Sequence, residues 1–237
     1  MNYIKLNKQV ISFLLIAVFL SVNNIFVFAN EFNVIKSDDM IADTINTAIN
    51  RNLVPESLQS DLTQEITRAE FSALIVKLYE TLQGEIAGRI EFTDTDDINI
   101  EKAAYIGVVT GVGDNRFNPY EILPREQAAV ILSRLTLIFE LDIDIPEWVL
   151  EVIYDIESIS PWALESVLKM YRLGAIATLY TIDEGAHITE YLETDLGVGF
   201  QIGEGFQFVI APQQPITREQ SILAVNLLYE VLNTIIE

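Results

Sequence analysis

The chain has 237 residues, no cysteine, one histidine, and 14 basic against 35 acidic side chains for a net charge of −21. Half its residues are hydrophobic, enough for a packed core, while the missing Cys excludes disulfide scaffolds, Cys-ligated metals and thiol nucleophiles. The acidity argues against nucleic acid and against docking on an anionic membrane, both of which need a basic face.

In chain order, Lys5 and Lys8 precede an apolar stretch from Val10 to Leu20, which runs less purely to Val27-Phe28-Ala29. This reads as a secretory signal peptide over residues 1–29. The competing reading is an uncleaved anchor, but Ser21, Asn23 and Asn24 interrupt a run that would need ~20 apolar residues to span a bilayer. No later stretch is apolar enough to span one. Losing Lys5 and Lys8 would leave 12 of the 14 basic residues against all 35 acids, net −23.

Three later segments align without gaps: Ile66-Thr67-Arg68-Ala69-Glu70, Leu123-Pro124-Arg125-Glu126-Gln127 and Ile216-Thr217-Arg218-Glu219-Gln220. After Arg68 the apolar positions are Phe71, Leu74, Ile75, Leu78, Tyr79 and Leu82, and the other two copies follow the same offsets. Spacings of three and four predict an amphipathic helix after each arginine. Thr67 with Glu70 and Thr217 with Gln220 form capping boxes, and Pro124 presets the middle helix start. Upstream, each unit carries a shorter helix ending at Asn52, Gly107 or Gly174, residues that tolerate the left-handed stop position. The stop lies 16 residues before the arginine in the first copy, 18 in the second and 44 in the third. The surplus falls at about 177–211, where Phe200–Phe208 reads as a small β-hairpin turned on Gly203-Glu204-Gly205. So long an insertion inside a compact repeat points to a functional or mobile loop.

The pattern resembles the S-layer homology (SLH) domain, a family usually found as three tandem copies. Ile66-Thr67-Arg68-Ala69-Glu70 matches the family's last element in full. The second copy supplies Phe92-Thr93-Asp94, Gly107-Val108-Val109-Thr110-Gly111 and Phe117-Asn118-Pro119. The third supplies Tyr154-Asp155-Ile156 and Trp162-Ala163. The likeness spans residues 40 to 232. The first copy lacks F-x-D, Trp and both glycines, the second lacks the Trp-Ala turn, and the third has Ile210 where Phe is expected. The resemblance implies a mainly all-α fold, a pseudo-threefold trio of helix–loop–helix repeats with a three-helix central bundle and three prongs. Its units are 30–84, 85–140 and 141–237, the last carrying the β-hairpin insertion. It further implies an exported bacterial protein, not an enzyme and without cofactor, held non-covalently at the cell surface. The grooves between repeats would bind secondary cell-wall polysaccharide or a peptidoglycan-linked glycan, in this family often through a pyruvate ketal carboxylate.

The residues allow two readings of the arginines. A cation in the first helical turn opposes the macrodipole, yet here it recurs three times at one offset. A helix start with free N–H groups plus a guanidinium makes an anion pocket, and Arg grips a carboxylate bidentately. Alternatively each arginine pairs with a neighbouring acid, Glu65, Glu121 or Glu219. Candidate ligand-binding residues are therefore Arg68, Arg125 and Arg218 with Trp162, Asp94, Asp155, Gly107, Gly111 and Gly174. The plainer expectations are a core Trp162, Asp94 and Asp155 capping the turn into the first helix, and glycines acting as turn formers. Asp94-Thr95-Asp96-Asp97 lacks the spacing of a calcium loop, and His187 reads as a solvated loop residue. An alternative function keeps the fold and uses the groove or the 177–211 insertion for a protein partner. A hydrolase is poorly supported, since the repeats take up nearly all the chain after residue 40.

Overall fold

The computed structural model describes residues 37–176, 178–181, 190–194, 197–201 and 206–236. The signal-peptide reading at 1–29, His187 and the Gly203-Glu204-Gly205 turn lie outside them. Among the described residues the chain forms seven α-helices: α1 Ser37–Asn50, α2 Arg68–Gln83, α3 Ile98–Tyr105, α4 Arg125–Ile138, α5 Trp148–Val152, α6 Leu164–Leu173 and α7 Arg218–Ile236. The protein is mostly helical, as the repeat pattern predicts.

The three predicted long helices, α2, α4 and α7, all begin on their arginine. The Thr67–Glu70 capping box is complete, with Glu70 N donating to Thr67 Oγ1 at 3.2 Å and Thr67 N donating to Glu70 Oε2 at 2.9 Å. Thr217 and Gln220 make the same exchange at 3.2 and 3.3 Å. Pro124 offers no side-chain acceptor, and its helix starts without that bond. The short helices stop where expected. Asn52, Gly107 and Gly174 take φ of 60°, 81° and 78°, and each closes its helix with two reverse hydrogen bonds. In α3, for example, Gly107 N donates to Ala104 O at 3.0 Å and Val108 N donates to Ala103 O at 3.1 Å.

The helices close into a ring. α3 packs on α2, α6 on α4, and α1 on α7, so each short helix lies on the long helix of the preceding copy. The first copy, having no predecessor, rests on the last. α2 also touches α4 and α7. Repeat units of this kind cannot bury their apolar stripes alone, and stacking them makes one continuous core. That core includes Phe71, Leu74, Leu78, Leu132, Leu135, Val225 and Leu228. Arg51 clasps the closing seam, reaching Glu230 Oε1 at 2.5 Å and Asn226 Oδ1 at 2.9 Å, with its guanidinium over the Tyr229 ring.

The insertion holds four strands: β1 Thr178–Thr181, β2 Glu190–Thr194, β3 Gly197–Gln201 and β4 Phe206–Val209. They differ from the predicted hairpin. β1 pairs with β4 and β2 with β3, both antiparallel, so β3 and β4 are not partners. The apolar run Phe200–Phe208 contains parts of two ladders, and alternation alone does not reveal which strand a segment faces. The arm is fixed at its base, where Tyr154 N donates to Phe208 O at 2.9 Å and the Phe208 ring lies 5.2 Å from Tyr171.

Candidate functional site

The three predicted arginine positions meet around one pseudo-threefold axis. Ile66 N donates to Ile216 O at 3.0 Å, Ile216 N to Leu123 O at 3.1 Å, and Leu123 N to Ile66 O at 2.9 Å. These residues precede the arginines by two positions, and all three are buried. The triangle of hydrogen bonds sets each long helix beside the loop that leads into the next.

The helix starts then dock on those loops in the same way three times. Arg68 N donates to Glu121 O, Arg125 N to Gln214 O, and Arg218 N to Gln64 O, each at 2.9 Å. The next residues donate likewise: Ala69 N to Pro119 O, Glu126 N to Pro212 O, and Glu219 N to Leu62 O. This corrects the expectation of free N–H groups. The first helical amides are consumed by the neighbouring copy, so the helix ends offer little to an anion.

The side chains repeat the pattern. Arg68 Nε donates to Phe117 O at 3.1 Å and Arg125 Nε to Ile210 O at 2.6 Å. Arg218 reaches the corresponding carbonyl, Ser60 O, through Nη1 at 3.2 Å, and its buried Nε has no hydrogen-bond partner. The guanidinium groups next meet the residue two after the following arginine: Gln127 at 3.1 Å from Arg68, Gln220 at 3.0 Å from Arg125, and Glu70 at 2.5 Å from Arg218. The one ion pair among these contacts, Arg218–Glu70, does not involve the anticipated Glu65, Glu121 or Glu219. Each arginine thus reaches into the following copy, with Arg218 reaching back to the first.

Arg125 and Arg218 are buried, whereas Arg68 is half-buried. Arg68 also donates through Nη2 to Thr110 O at 3.0 Å and lies 4.5 Å from the centre of the Phe117 ring. Burial pulls its guanidinium below the usual value, and the fields of Glu121 and Asp94 work against that shift.

Asp94 and Asp155 occupy matching places, but neither carboxylate caps a helix, although Asp155 stands at the N-cap position of the short 3-10 helix Ile156–Ser158. Asp94 accepts Phe117 N on Oδ1 and Asn118 N on Oδ2, both at 2.8 Å. Asp155 accepts Ile210 N at 2.9 Å and Ala211 N at 2.7 Å. The cap of α3 is Asp97, whose carboxylate accepts Asn99 N at 2.8 Å. Each F-x-D-type aspartate therefore holds the amides of the loop whose carbonyl the preceding arginine holds. The amide of Phe117 and then that of Asn118 keep the Asp94 carboxyl below the usual range against its desolvation.

Trp162 is 60% exposed, not core. It precedes α6 in a turn held by Glu126, which accepts Ser160 N at 3.0 Å and Ser160 Oγ at 2.8 Å. A core position would need the ring on the buried face of the helix, but the helix begins two residues later. Gly107 and Gly174 serve as helix stops. Gly111 lies so close to its surroundings that an added Cβ would meet Arg116 O at 2.6 Å and Phe92 Cε1 at 2.9 Å.

The structure thus gathers Arg68, Asp94 and Gly111 around the Phe117 loop, and Arg125, Asp155 and the Trp162 turn around the Ile210–Ala211 loop. Arg218 faces the first-copy loop at Ser60–Asp61, and among the described residues no upstream aspartate carboxylate accepts the amides of that loop. Two residues escaped sequence reasoning. Gln127 is the neutral partner of Arg68, and Tyr120, 85% exposed, sits between the two residues whose carbonyls receive Arg68 and Ala69. The in-register position two after each arginine was a readable signal for the first, and nothing in the periodicity marks the second.

Part of this chain is similar to carbohydrate-acting enzymes. It is 32% identical over 156 residues to exoglucanase XynX of Acetivibrio thermocellus, a match covering 61% of this chain and 14% of that protein. It is 29% identical over 118 residues to an amylopullulanase of Thermoanaerobacterium thermosulfurigenes, covering 46% of this chain and 6% of the enzyme. The chain spans a small part of both. No family profile matches it. Among the described residues no helix is long and apolar enough to cross a membrane.

Proposed function

We propose that this chain is a non-catalytic module that holds a bacterial protein at the cell surface by binding cell-wall glycan in the grooves between its three units, 30–84, 85–140 and 141–237. The observation that carries the reading is the state of Arg68. Its guanidinium is half-buried at the junction of two copies, and three of its five N–H donors are engaged among the described residues. One N–H remains on each terminal nitrogen, the number that a bidentate grip on a sugar carboxylate requires. Exposed Tyr120 belongs to the same loop, and Trp162 to the next junction, where either ring suits a sugar face. The partial similarity to two much longer carbohydrate-acting enzymes supports a module shared by surface proteins of differing activity. The pyruvylated form of wall polysaccharide is the ligand this chemistry fits best.

The test is co-sedimentation of the exported protein with wall sacculi, before and after the secondary polysaccharide is stripped. Retention that vanishes with the polysaccharide supports the proposal. Equal retention on stripped walls overturns it.

A second reading uses the insertion as a protein-docking arm. It is favoured by the two separate strand pairs at 178–209, neither of which has a third strand among the described residues. Replacing residues 182–205 by a short linker, which spares the Ile210–Ala211 loop held by Arg125 and Asp155, would then abolish capture of a protein partner while leaving wall retention in place.

A further inference from the structure

We infer that the insertion joins two copies of this chain edge to edge, with β3 of one lying antiparallel beside β3 of the other. The inference rests on the reading of the insertion as a docking arm and makes a second copy the partner.

The arm is two nested ladders with unequal support. At its base β4 has neighbours on both sides, β1 along one edge and Tyr154, whose N–H donates to Phe208 O, along the other. At its tip β2 and β3 have only each other among the described residues. A two-stranded hairpin alone is marginal in water, and a further strand is the ordinary remedy. The two edges of the tip are not equivalent. β2 carries Glu190 and Glu193, and charges on an edge are what natural sheets use to refuse a further strand. β3, Gly197-Val198-Gly199-Phe200-Gln201, has neither charge nor proline. In a chain of net −21, a charge-free edge is where an equally acidic copy can approach with least repulsion.

The register makes that edge complementary to itself. Thr194 pairs with Gly197 across two intervening residues, the i and i+3 positions of a tight turn, so theirs is a hydrogen-bonded pair. Hydrogen-bonded and non-hydrogen-bonded pairs alternate along an antiparallel ladder. Gly197, Gly199 and Gln201 therefore turn their backbone groups to β2, and Val198 and Phe200 turn theirs to the open edge. Placed about a twofold axis through Gly199, two such edges set Val198 of each copy opposite Phe200 of the other. Each of these pairs exchanges both hydrogen bonds, and every outward N–H and C=O of the two Val198 and Phe200 residues is used. The Gly199 residues meet in the central non-hydrogen-bonded pair, where Cα atoms approach to about 4.5 Å. Glycine inside a strand weakens it and marks a place where another backbone comes close, which is the place Gly199 then holds. The result is one four-stranded sheet bordered by the charged β2 strands, so growth stops at two copies. With five residues paired on each side, the interface is of the weak class and fills as local concentration rises.

The test uses the exported protein, whose lack of cysteine lets single thiols be placed at will. Gly199→Cys sets two thiols across the axis, at a Cα separation within the disulfide range of about 4.4–6.8 Å. Under mild oxidation it is expected to form covalent dimer at least tenfold faster than Glu193→Cys, which lies on the other edge of the same tip. Sedimentation velocity of the parent, from micromolar to millimolar, is expected to show a monomer–dimer equilibrium. Val198→Pro removes one outward N–H per copy and spares the ladder to β2, because an edge strand accepts proline where its N–H faces away from the sheet. It is expected to weaken the dimer at least tenfold, with a thermal melt confirming that the variant folds. Equal rates for the two thiols, a parent that stays monomeric at millimolar concentration, or a dimer unchanged by Val198→Pro would each overturn the inference. Capture of other proteins by the arm separates the two claims. A monomeric chain whose arm captures a different protein refutes self-pairing alone, and a monomeric chain whose arm captures none refutes the docking arm with it.

Discussion

Asp94 accepts the amide of Phe117 at 2.8 Å, and its second oxygen accepts the next amide, that of Asn118, at the same distance. An aspartate 23 residues upstream therefore sets the loop on which Arg68 rests. The hydrogen bonds favour the charged form and hold its carboxyl below the usual value. The sign follows directly. A depressed folded value means that the contribution is fully present above the unfolded carboxylate range, near 4, and is lost as pH falls through the lower folded value. Asp94→Ala is expected to lower the melting temperature at neutral pH. The gap to the parent stays constant down to about pH 5 and narrows as the solution becomes more acidic. Calorimetry across a pH series checks this, and a gap that widens on acidification contradicts it.

Gly111 and Gly107 are both glycines of the repeat signature, but for different reasons. At Gly107 a Cβ would meet nothing within 4 Å, and the cost of a side chain is the φ of 81°. At Gly111 the obstruction is a backbone carbonyl and the Phe92 ring. Gly107→Ala is expected to cost about 1 kcal/mol from backbone strain. Gly111→Ala is expected to cost more, about 1–3 kcal/mol, because the Arg116 carbonyl must shift. Urea denaturation of the two variants gives the order, and equal losses would show that the Phe92 loop yields freely.

Three matching loop positions take the left-handed conformation: Asp61 at φ 51°, Asn118 at φ 60° and Ala211 at φ 50°. Asp and Asn adopt it readily, and Ala does not. Ala211 is held there by the hydrogen bond its backbone N–H donates to Asp155 Oδ2 and by the turn in which Gln214 N donates to Ala211 O. Ala211→Asn is expected to stabilise the protein by about 0.5–1 kcal/mol, which raises the melting temperature by about 1–4 °C. An unchanged or lower melting point would mean that the third loop differs from the other two beyond this residue.

The repeat was legible because its signals are local. The apolar stripes after Arg68, Arg125 and Arg218 lie within one helix each, as do the capping boxes and the stops at Asn52, Gly107 and Gly174. The roles of the arginines were not legible, because their partners are remote. Arg68 meets Gln127 59 residues away, and Arg218 meets Glu70 148 residues away. No periodicity reports a contact made only when a ring closes. The same reason hid the aspartates, which look like caps for the helix that follows and instead bind a loop beyond it. The nested strands of the insertion were misread because its apolar segments alternate alike and could pair in more than one order.

Trp162 and Tyr120 give a functional prediction that burial makes clean. They are 60% and 85% exposed, so neither contributes much to the core. Exposed positions away from special features change stability by about 0.5 kcal/mol or less. Trp162→Ala and Tyr120→Ala are therefore expected to melt within about 2 °C of the parent. If the rings stack on sugars at their junctions, each variant is retained less on wall sacculi, and the Tyr120 loss is the larger because that ring adjoins the half-exposed Arg68. Trp162 also reports binding directly. The chain has two tryptophans, and the other, Trp148, lies under Arg172 at 5.7 Å. In a Trp148→Phe background, indole emission comes from Trp162 alone and shifts to the blue as wall fragments cover it. Emission that is indifferent to wall fragments, together with unchanged retention of both alanine variants, would remove the aromatic rings from the binding surface and leave the arginine junction to act without them.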